Sequence, residues 1–129
     1  MEGGSILMVI GSNWKNVHLM CGNHGDDLSN ELYMREGAVG MSAFYACPKY
    51  MSDLRPEHDT EHKSCFNRLG TSDFMKMIEI IDEERYPDDG QKVCVKGFKF
   101  KIKKIEFQVI EEKGSELWIK VLNKKTIQV

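Results

Sequence analysis

Three cysteines and one histidine in the first half of the chain have the types and spacing of metal ligands. Cys21-Gly22-Asn23-His24 sets two donors around two intervening residues. One tight backbone turn spans that interval with both side chains converging on one ion, and the intervening glycine or asparagine accepts the unusual dihedrals such a turn needs. Cys47 follows in Cys47-Pro48-Lys49-Tyr50, and Cys65 in Cys65-Phe66-Asn67-Arg68. Zinc takes four thiolate or imidazole ligands in a tetrahedron, and a structural site fills all four positions with protein. Cys21, His24, Cys47 and Cys65 supply three sulfurs and a nitrogen, so a structural Zn2+ is the expected cofactor. A standard knuckle would place its second donor at Tyr50, whereas seventeen residues separate Cys47 from Cys65. That interval contains His58 and His62. Either can replace His24 in the count, and His62-Lys63-Ser64-Cys65 makes a second knuckle-like bite, so His62 is the stronger rival to the preferred His24. Between Pro48 and Arg68 large apolar residues are scarce, and a bound ion rather than a hydrophobic core is expected to hold the segment.

One enzyme motif matches literally. His58-Asp59-Thr60-Glu61-His62 is H-x-x-E-H, the inverted zincin pattern, in which two histidines bind zinc and the glutamate activates water. That chemistry needs a firm helix, and the flanks Leu54-Arg55-Pro56-Glu57 and Lys63-Ser64-Cys65 lack the apolar stripe that would anchor one. A zinc metallohydrolase using His58, Glu61 and His62 is therefore the third reading. The chain has no G-x-S-x-G elbow, no glycine-rich phosphate loop and no deaminase pair of H-x-E with P-C-x-x-C.

The elements that must position these residues are legible in part. The clearest is a helix after Gly70: Phe74, Met77, Ile78 and Ile81 form one apolar stripe at i, i+3, i+4 and i+7. Thr71 or Ser72 can cap it, Asp73 suits its first turn, and Pro87 ends it. Its other face carries Lys76, Glu79, Asp82 and Glu83, while Met75 and Met77 read as core filling. Before it, Ile6 to Ile10 is a short apolar run, Trp14 to Met20 is strand-like, and Glu31–Glu36 and Ser42–Ala46 form a candidate pair turned at Gly37 and Gly40. After it, Phe98, Phe100 and Ile102 alternate, and the apolar parity then changes to Ile105, Phe107 and Val109. A β-bulge at Lys103-Lys104 is expected to absorb that change. Glu112–Ser115, with Gly114, should turn the chain into a strand in which Leu117, Ile119 and Val121 face the core, and a last short strand is expected to end at Val129. Cys94, between Val93 and Val95, reads as a small core residue. Trp14 is ambiguous, and Trp118, which shares the parity of Lys120, reads as a partly exposed indole and a possible partner anchor. The fold class is α+β. A zinc-ribbon-like module over 1–70 and a helix with antiparallel strands over 71–129 are expected to pack as one unit.

Composition bounds the function. A chain of 129 residues and 14.9 kDa with 41% hydrophobic and 29% charged residues folds around one core and is too short for a large two-domain enzyme. Four cysteines are too few for a secreted disulfide scaffold, so reduced thiols or metal are expected. The first ten residues offer neither a basic leader nor an apolar span, and a cytoplasmic location is the expectation. Net charge is −2 overall, divided as −3 over 1–70, −5 over 71–90 and +6 over 91–129. A sequence pI near 6.1 argues against bulk electrostatic nucleic-acid binding, not against a local site.

Cys21-Gly-Asn-His24, Phe44-Tyr45-Ala46-Cys47-Pro48-Lys49-Tyr50 and Cys65-Phe66-Asn67-Arg68 together resemble small zinc-ribbon-like proteins carried on mobile elements of Gram-positive bacteria, over about residues 14 to 70. The chain looks similar to the zinc-containing anti-CRISPR inhibitors directed at Cas9. That resemblance implies a non-enzymatic protein that binds the effector nuclease in the bacterial host cell and obstructs nucleic-acid loading, with acidic residues facing a basic surface. The acidic helix end, Asp82, Glu83 and Glu84 with Asp88 and Asp89, is the expected contact. The alternative is a zinc-ribbon nucleic-acid-binding protein using Lys96, Lys99, Lys101, Lys103 and Lys104. Solubility and edge protection are the simpler reading of those lysines.

Overall fold

Alternation of apolar and polar residues fixes which way the strands face. In the computed structural model, which describes residues 5–7, 14–37, 43–51, 53–61, 63–85 and 93–123, the elements run β1 (Ser5–Leu7), β2 (Asn16–Cys21), β3 (Tyr33–Arg35), β4 (Phe44–Ala46), β5 (Arg68–Gly70), α1 (Thr71–Arg85), β6 (Lys99–Ile102), β7 (Ile105–Lys113) and β8 (Glu116–Leu122). Two sheets result, a five-stranded one in the order β1-β2-β8-β7-β6 and a three-stranded one in the order β3-β4-β5. All pairings are antiparallel except β2 with β8, which runs parallel from Asn16↔Glu116 to Cys21↔Val121. One helix on two mostly antiparallel sheets is an α+β fold.

Val17, Leu19 and Cys21 of β2 and Leu117, Ile119 and Val121 of β8 are buried, while their alternate neighbours are not. They join one buried cluster with Phe107 and Val109 of β7 and with Phe74, Met77, Ile78 and Ile81, the predicted stripe of α1. Tyr45 of β4 meets Phe74 with ring centroids 5.0 Å apart, which ties the small sheet to the helix. Trp14 is buried, its Nε1 donating to Asp82 Oδ1 at 2.9 Å. The Arg85 guanidinium lies 3.9 Å from the Trp14 ring centre and 3.4 Å from Glu112 in a buried ion pair.

Several expectations are corrected. The parity change at Lys103-Lys104 is a two-residue hairpin turn, not a bulge: Ile102 pairs with Ile105, and Lys103 takes φ 57°. A two-residue turn and a bulge shift the apolar parity alike, so the pattern alone does not separate them. The register shift lies instead between Val109 and Glu111, and it turns Glu112 inward opposite Leu117, toward Arg85. Cys94 is exposed outside any strand, and the core residue of that run is Val95. The candidate pair before the helix shortens to Tyr33–Arg35 and Phe44–Ala46 and gains β5 as a third strand. The turn after Glu112 forms as expected, with Gly114 at φ 61°, and Trp118 is partly exposed, stacked on His18 at 4.9 Å. The remainder of the Ile6–Ile10 run beyond Leu7, Gly40, Pro87 and the strand toward Val129 lie outside the described residues. The composition boundary at Gly70 coincides with the start of α1, and the first half contributes β1 and β2 to the sheet that β6, β7 and β8 complete.

Candidate metal centre

Each of the three candidate ligand cysteines sits where a strand ends or is about to begin. Cys21 is the last residue of β2, Cys47 directly follows β4, and Cys65 precedes β5 by three positions. Beyond Cys21 the chain turns tightly: Gly22 N donates to Val121 O at 2.8 Å, and Asp27 N to His24 O at 3.2 Å. A Cβ on Gly22 would stand 2.9 Å from Lys120 Cγ and 3.1 Å from Val121 O, so any larger residue would push the turn and β8 apart. The other two turns interlock, Cys47 N donating to Asn67 O at 3.1 Å and Cys65 N to Lys49 O at 3.0 Å. The long interval between them is closed by Asp59, whose carboxylate accepts from Lys63 N at 2.7 Å and Ser64 N at 2.9 Å.

The four predicted ligands converge. The donor atoms of Cys21, His24, Cys47 and Cys65 all lie within 4.8 Å of one another, and the three cysteines are buried. Cys21 Sγ and Cys65 Sγ are 3.7 Å apart, and His24 Nε2 is 3.3 Å from Cys47 Sγ. Zinc–sulfur bonds of about 2.3 Å and zinc–nitrogen bonds of about 2.0 Å put tetrahedral ligand atoms about 3.8 Å and about 3.5 Å apart, respectively. Those two separations match a tetrahedral ion, and the remaining pairs, all within 4.8 Å, need only close slightly around one. Each sulfur also accepts the backbone N–H two residues on: Asn23 to Cys21, Lys49 to Cys47 and Asn67 to Cys65. These N–H groups aim partial positive charge at the sulfurs and favour thiolate.

Titration behaviour points the same way. Hydrogen bonds from Cys47 and then Cys65 lower the Cys21 thiol far below its ordinary value, against the cost of burial. Cys47 and Cys65 are raised, in each case first because they donate to Cys21. Three thiols this close share one negative charge by hydrogen bonding, and only a cation makes all three anionic together.

Three asparagines, which sequence reasoning missed, brace the site. Asn67 Nδ2 donates to Cys21 Sγ at 3.1 Å and to Val121 O at 2.7 Å. Asn23 and Asn123 exchange hydrogen bonds, Asn23 Nδ2 to Asn123 O at 2.9 Å and Asn123 N to Asn23 Oδ1 at 3.2 Å, and Asn123 Nδ2 reaches Arg68 O at 3.0 Å. The only sequence signal was polar residues next to cysteines; Asn123 lies far from any ligand in the chain and had none.

The other candidates fall elsewhere. His58 is exposed at the end of a single 3-10 turn, Pro56–His58, and Glu61 is exposed and paired with Lys63 at 3.1 Å. No α-helix carries the described residues of the H-x-x-E-H motif, and His62 lies outside them. Of the acidic helix end, Glu83 and Glu84 are exposed, whereas Asp82 is half-buried on Trp14. Burial raises the Asp82 carboxyl, opposed by the Trp14 hydrogen bond and the Arg85 charge. Asp88 and Asp89 lie outside the described residues. Lys96, Lys99, Lys101, Lys103 and Lys104 are all exposed, with Lys96 paired to Glu111 at 3.3 Å and Lys103 to Asp73 at 3.2 Å. Among the described residues no helix is long and apolar enough to cross a membrane. No protein-family model, curated protein or solved structure matches the chain.

Proposed function

We propose that this chain is a non-enzymatic, zinc-stabilised binding protein, and that it acts as an inhibitor of a bacterial effector nuclease of the Cas9 type. The observation that carries the first part is the donor set itself: Cys21, His24, Cys47 and Cys65 lie within 4.8 Å of one another and would take all four positions of a tetrahedral ion. Catalytic zinc keeps one position open for water or substrate, and structural zinc does not. The ion would join β2 and the Cys21 turn of the large sheet to the two interlocked turns of the small one. Its role is then to hold surfaces in place for a partner.

The partner rests on the resemblance of the three cysteine segments to zinc-containing anti-CRISPR inhibitors. Exposed Glu83 and Glu84 at the end of α1 supply acidic groups suited to a basic nucleic-acid channel. The test is co-purification of the zinc-loaded chain with Cas9, followed by DNA cleavage with the chain added before or after guide loading. Binding with loss of cleavage supports the reading. A zinc-replete chain that neither binds Cas9 nor slows cleavage overturns the partner and leaves the binding-protein class; peptidase activity abolished by Glu61→Gln overturns the class itself.

A further inference from the structure

The face of the small sheet turned away from the core carries two arginines laid on aromatic rings. Register places Tyr33, Ala46 and Arg68 on one face with Arg35 and Phe44, while Tyr45 and Leu69 face the core. The Arg68 guanidinium lies 4.6 Å from the Phe44 ring centre and 5.9 Å from that of Tyr50; the Arg35 guanidinium lies 5.2 Å from Tyr50. Tyr50 belongs to the turn after Cys47, so the metal centre sets its position. It also pins both arginines, accepting from Arg35 Nη1 through its backbone oxygen at 3.0 Å and from Arg68 Nη1 through its hydroxyl at 3.1 Å. Phe44 and Phe66 meet the Tyr50 ring edge-on at 5.8 and 6.0 Å.

Among the described residues neither guanidinium forms an ion pair, although Lys63, Lys76, Lys96, Lys103 and Arg85 all do. A guanidinium has five N–H donors, and one bond to Tyr50 leaves several directed outward. Both cations lie within 6 Å of one ring centre, hence within about 11 Å of each other. Two preorganised forks this close, paired with no carboxylate among the described residues, mark a local anion site in a chain of net charge −2. The aromatic setting narrows the anion. A guanidinium stacked on a ring offers its other face to a second planar group, the way arginine planes and aromatic rings receive unstacked bases. A carboxylate by itself engages the fork and leaves that plane unused.

We propose that this face binds single-stranded nucleic acid, with backbone phosphates on Arg35 and Arg68 and a base packed against the Arg68–Phe44 stack. The inference goes beyond the nuclease-inhibitor reading and does not require it. It also relocates the nucleic-acid reading from the lysines of residues 96 to 104 to the two arginines beside the metal centre.

The experiment is fluorescence anisotropy of labelled oligothymidylate with the zinc-loaded full chain, across salt from about 50 mM to about 200 mM. Arg35→Gln with Arg68→Gln should weaken binding about tenfold or more and flatten the salt slope by about 1.4, the value for two lost single-strand phosphate contacts. Unchanged zinc content and circular dichroism confirm that the variant is folded. Arg35→Lys with Arg68→Lys, a milder change that keeps the charge, should retain the slope and still lose affinity, because lysine supplies neither fork nor plane. Lys99→Gln with Lys101→Gln should bind as the wild type does. Absence of binding by the wild type at low salt, equal binding by the glutamine variant, or duplex DNA bound as tightly as the single strand would overturn the proposal. Displacement by polyglutamate at matched charge would overturn it in favour of an acidic protein.

Discussion

Cys47→Ser is the most direct perturbation of the candidate metal centre, because Cys47 would tie the small sheet to an ion that Cys21 would tie to the large one. Structural zinc contributes about 10–16 kcal/mol in small peptides at neutral pH, so one ligand of four accounts for roughly 3–4 kcal/mol, or about two to three orders of magnitude in zinc affinity. Serine is nearly isosteric but does not ionise to a comparable ligand. It also removes the sulfur that accepts Lys49 N at 3.5 Å and approaches His24 Nε2 at 3.3 Å. The loss should be uneven. Strands β3, β4 and β5 have three residues each and bury few large side chains, whereas β7 and β8 share the main core with α1. Hydrogen exchange should therefore lose protection at Tyr50 N, Cys47 N and Cys65 N, whose acceptors are all backbone oxygens of the two interlocked turns, and retain it along β7–β8. Zinc would be counted by elemental analysis after gel filtration and its affinity taken from chelator competition. Cys94→Ser is the control: Cys94 is exposed and outside the donor set, so that variant should keep full zinc. A metal-replete Cys47→Ser, or equal zinc loss from both variants, would refute the ligand assignment.

His24→Ala should cost zinc affinity on the same scale while His58→Ala keeps the metal, since only His24 joins the donor set among the described residues; chelator competition on both decides it. Glu112→Gln withdraws the carboxylate 3.4 Å from buried Arg85, and urea denaturation should show a loss of about 3–5 kcal/mol. Asp82 is raised in the folded state by burial, so it binds its proton more tightly there than in the unfolded chain; its contribution is intact below the ordinary aspartate value of 3.8 and declines as pH rises through the raised native value. Asp82→Asn keeps an oxygen for Trp14 Nε1 and should remove that part of the pH slope, measured as denaturation midpoint against pH. Glu83→Lys with Glu84→Lys should leave the fold intact, since exposed charges contribute little to stability, and should weaken Cas9 binding; unaltered inhibition would exclude this acidic end as the contact.

The amino-acid sequence by itself determined the features that depend on neighbours in the chain. The stripe Phe74, Met77, Ile78 and Ile81 specified α1 because helical periodicity is local, and the alternation from Glu116 to Leu122 specified which face of β8 is buried. The donor cluster was legible because few residue types bind zinc and the Cys21–His24 spacing is itself a turn. Tertiary structure decided what depends on distant partners. The parallel pairing of β2 with β8 joins residues about a hundred positions apart and leaves no trace in either strand's pattern. Parity could not tell a hairpin turn at Lys103-Lys104 from a bulge, because both reverse it; only the pairing of Ile102 with Ile105 separates them. Cys94 had apolar neighbours on both sides, yet Val95 alone of that run reached the core. Asp82 sat on a polar helix face in sequence and became the acceptor for Trp14 once the tryptophan was buried beside it. The Asn67 and Asn123 braces, and the stack of Arg35 and Arg68 around Tyr50, arise because the metal turns bring chain segments together that share no sequence signal, and burial then selects which of their polar groups must find one another.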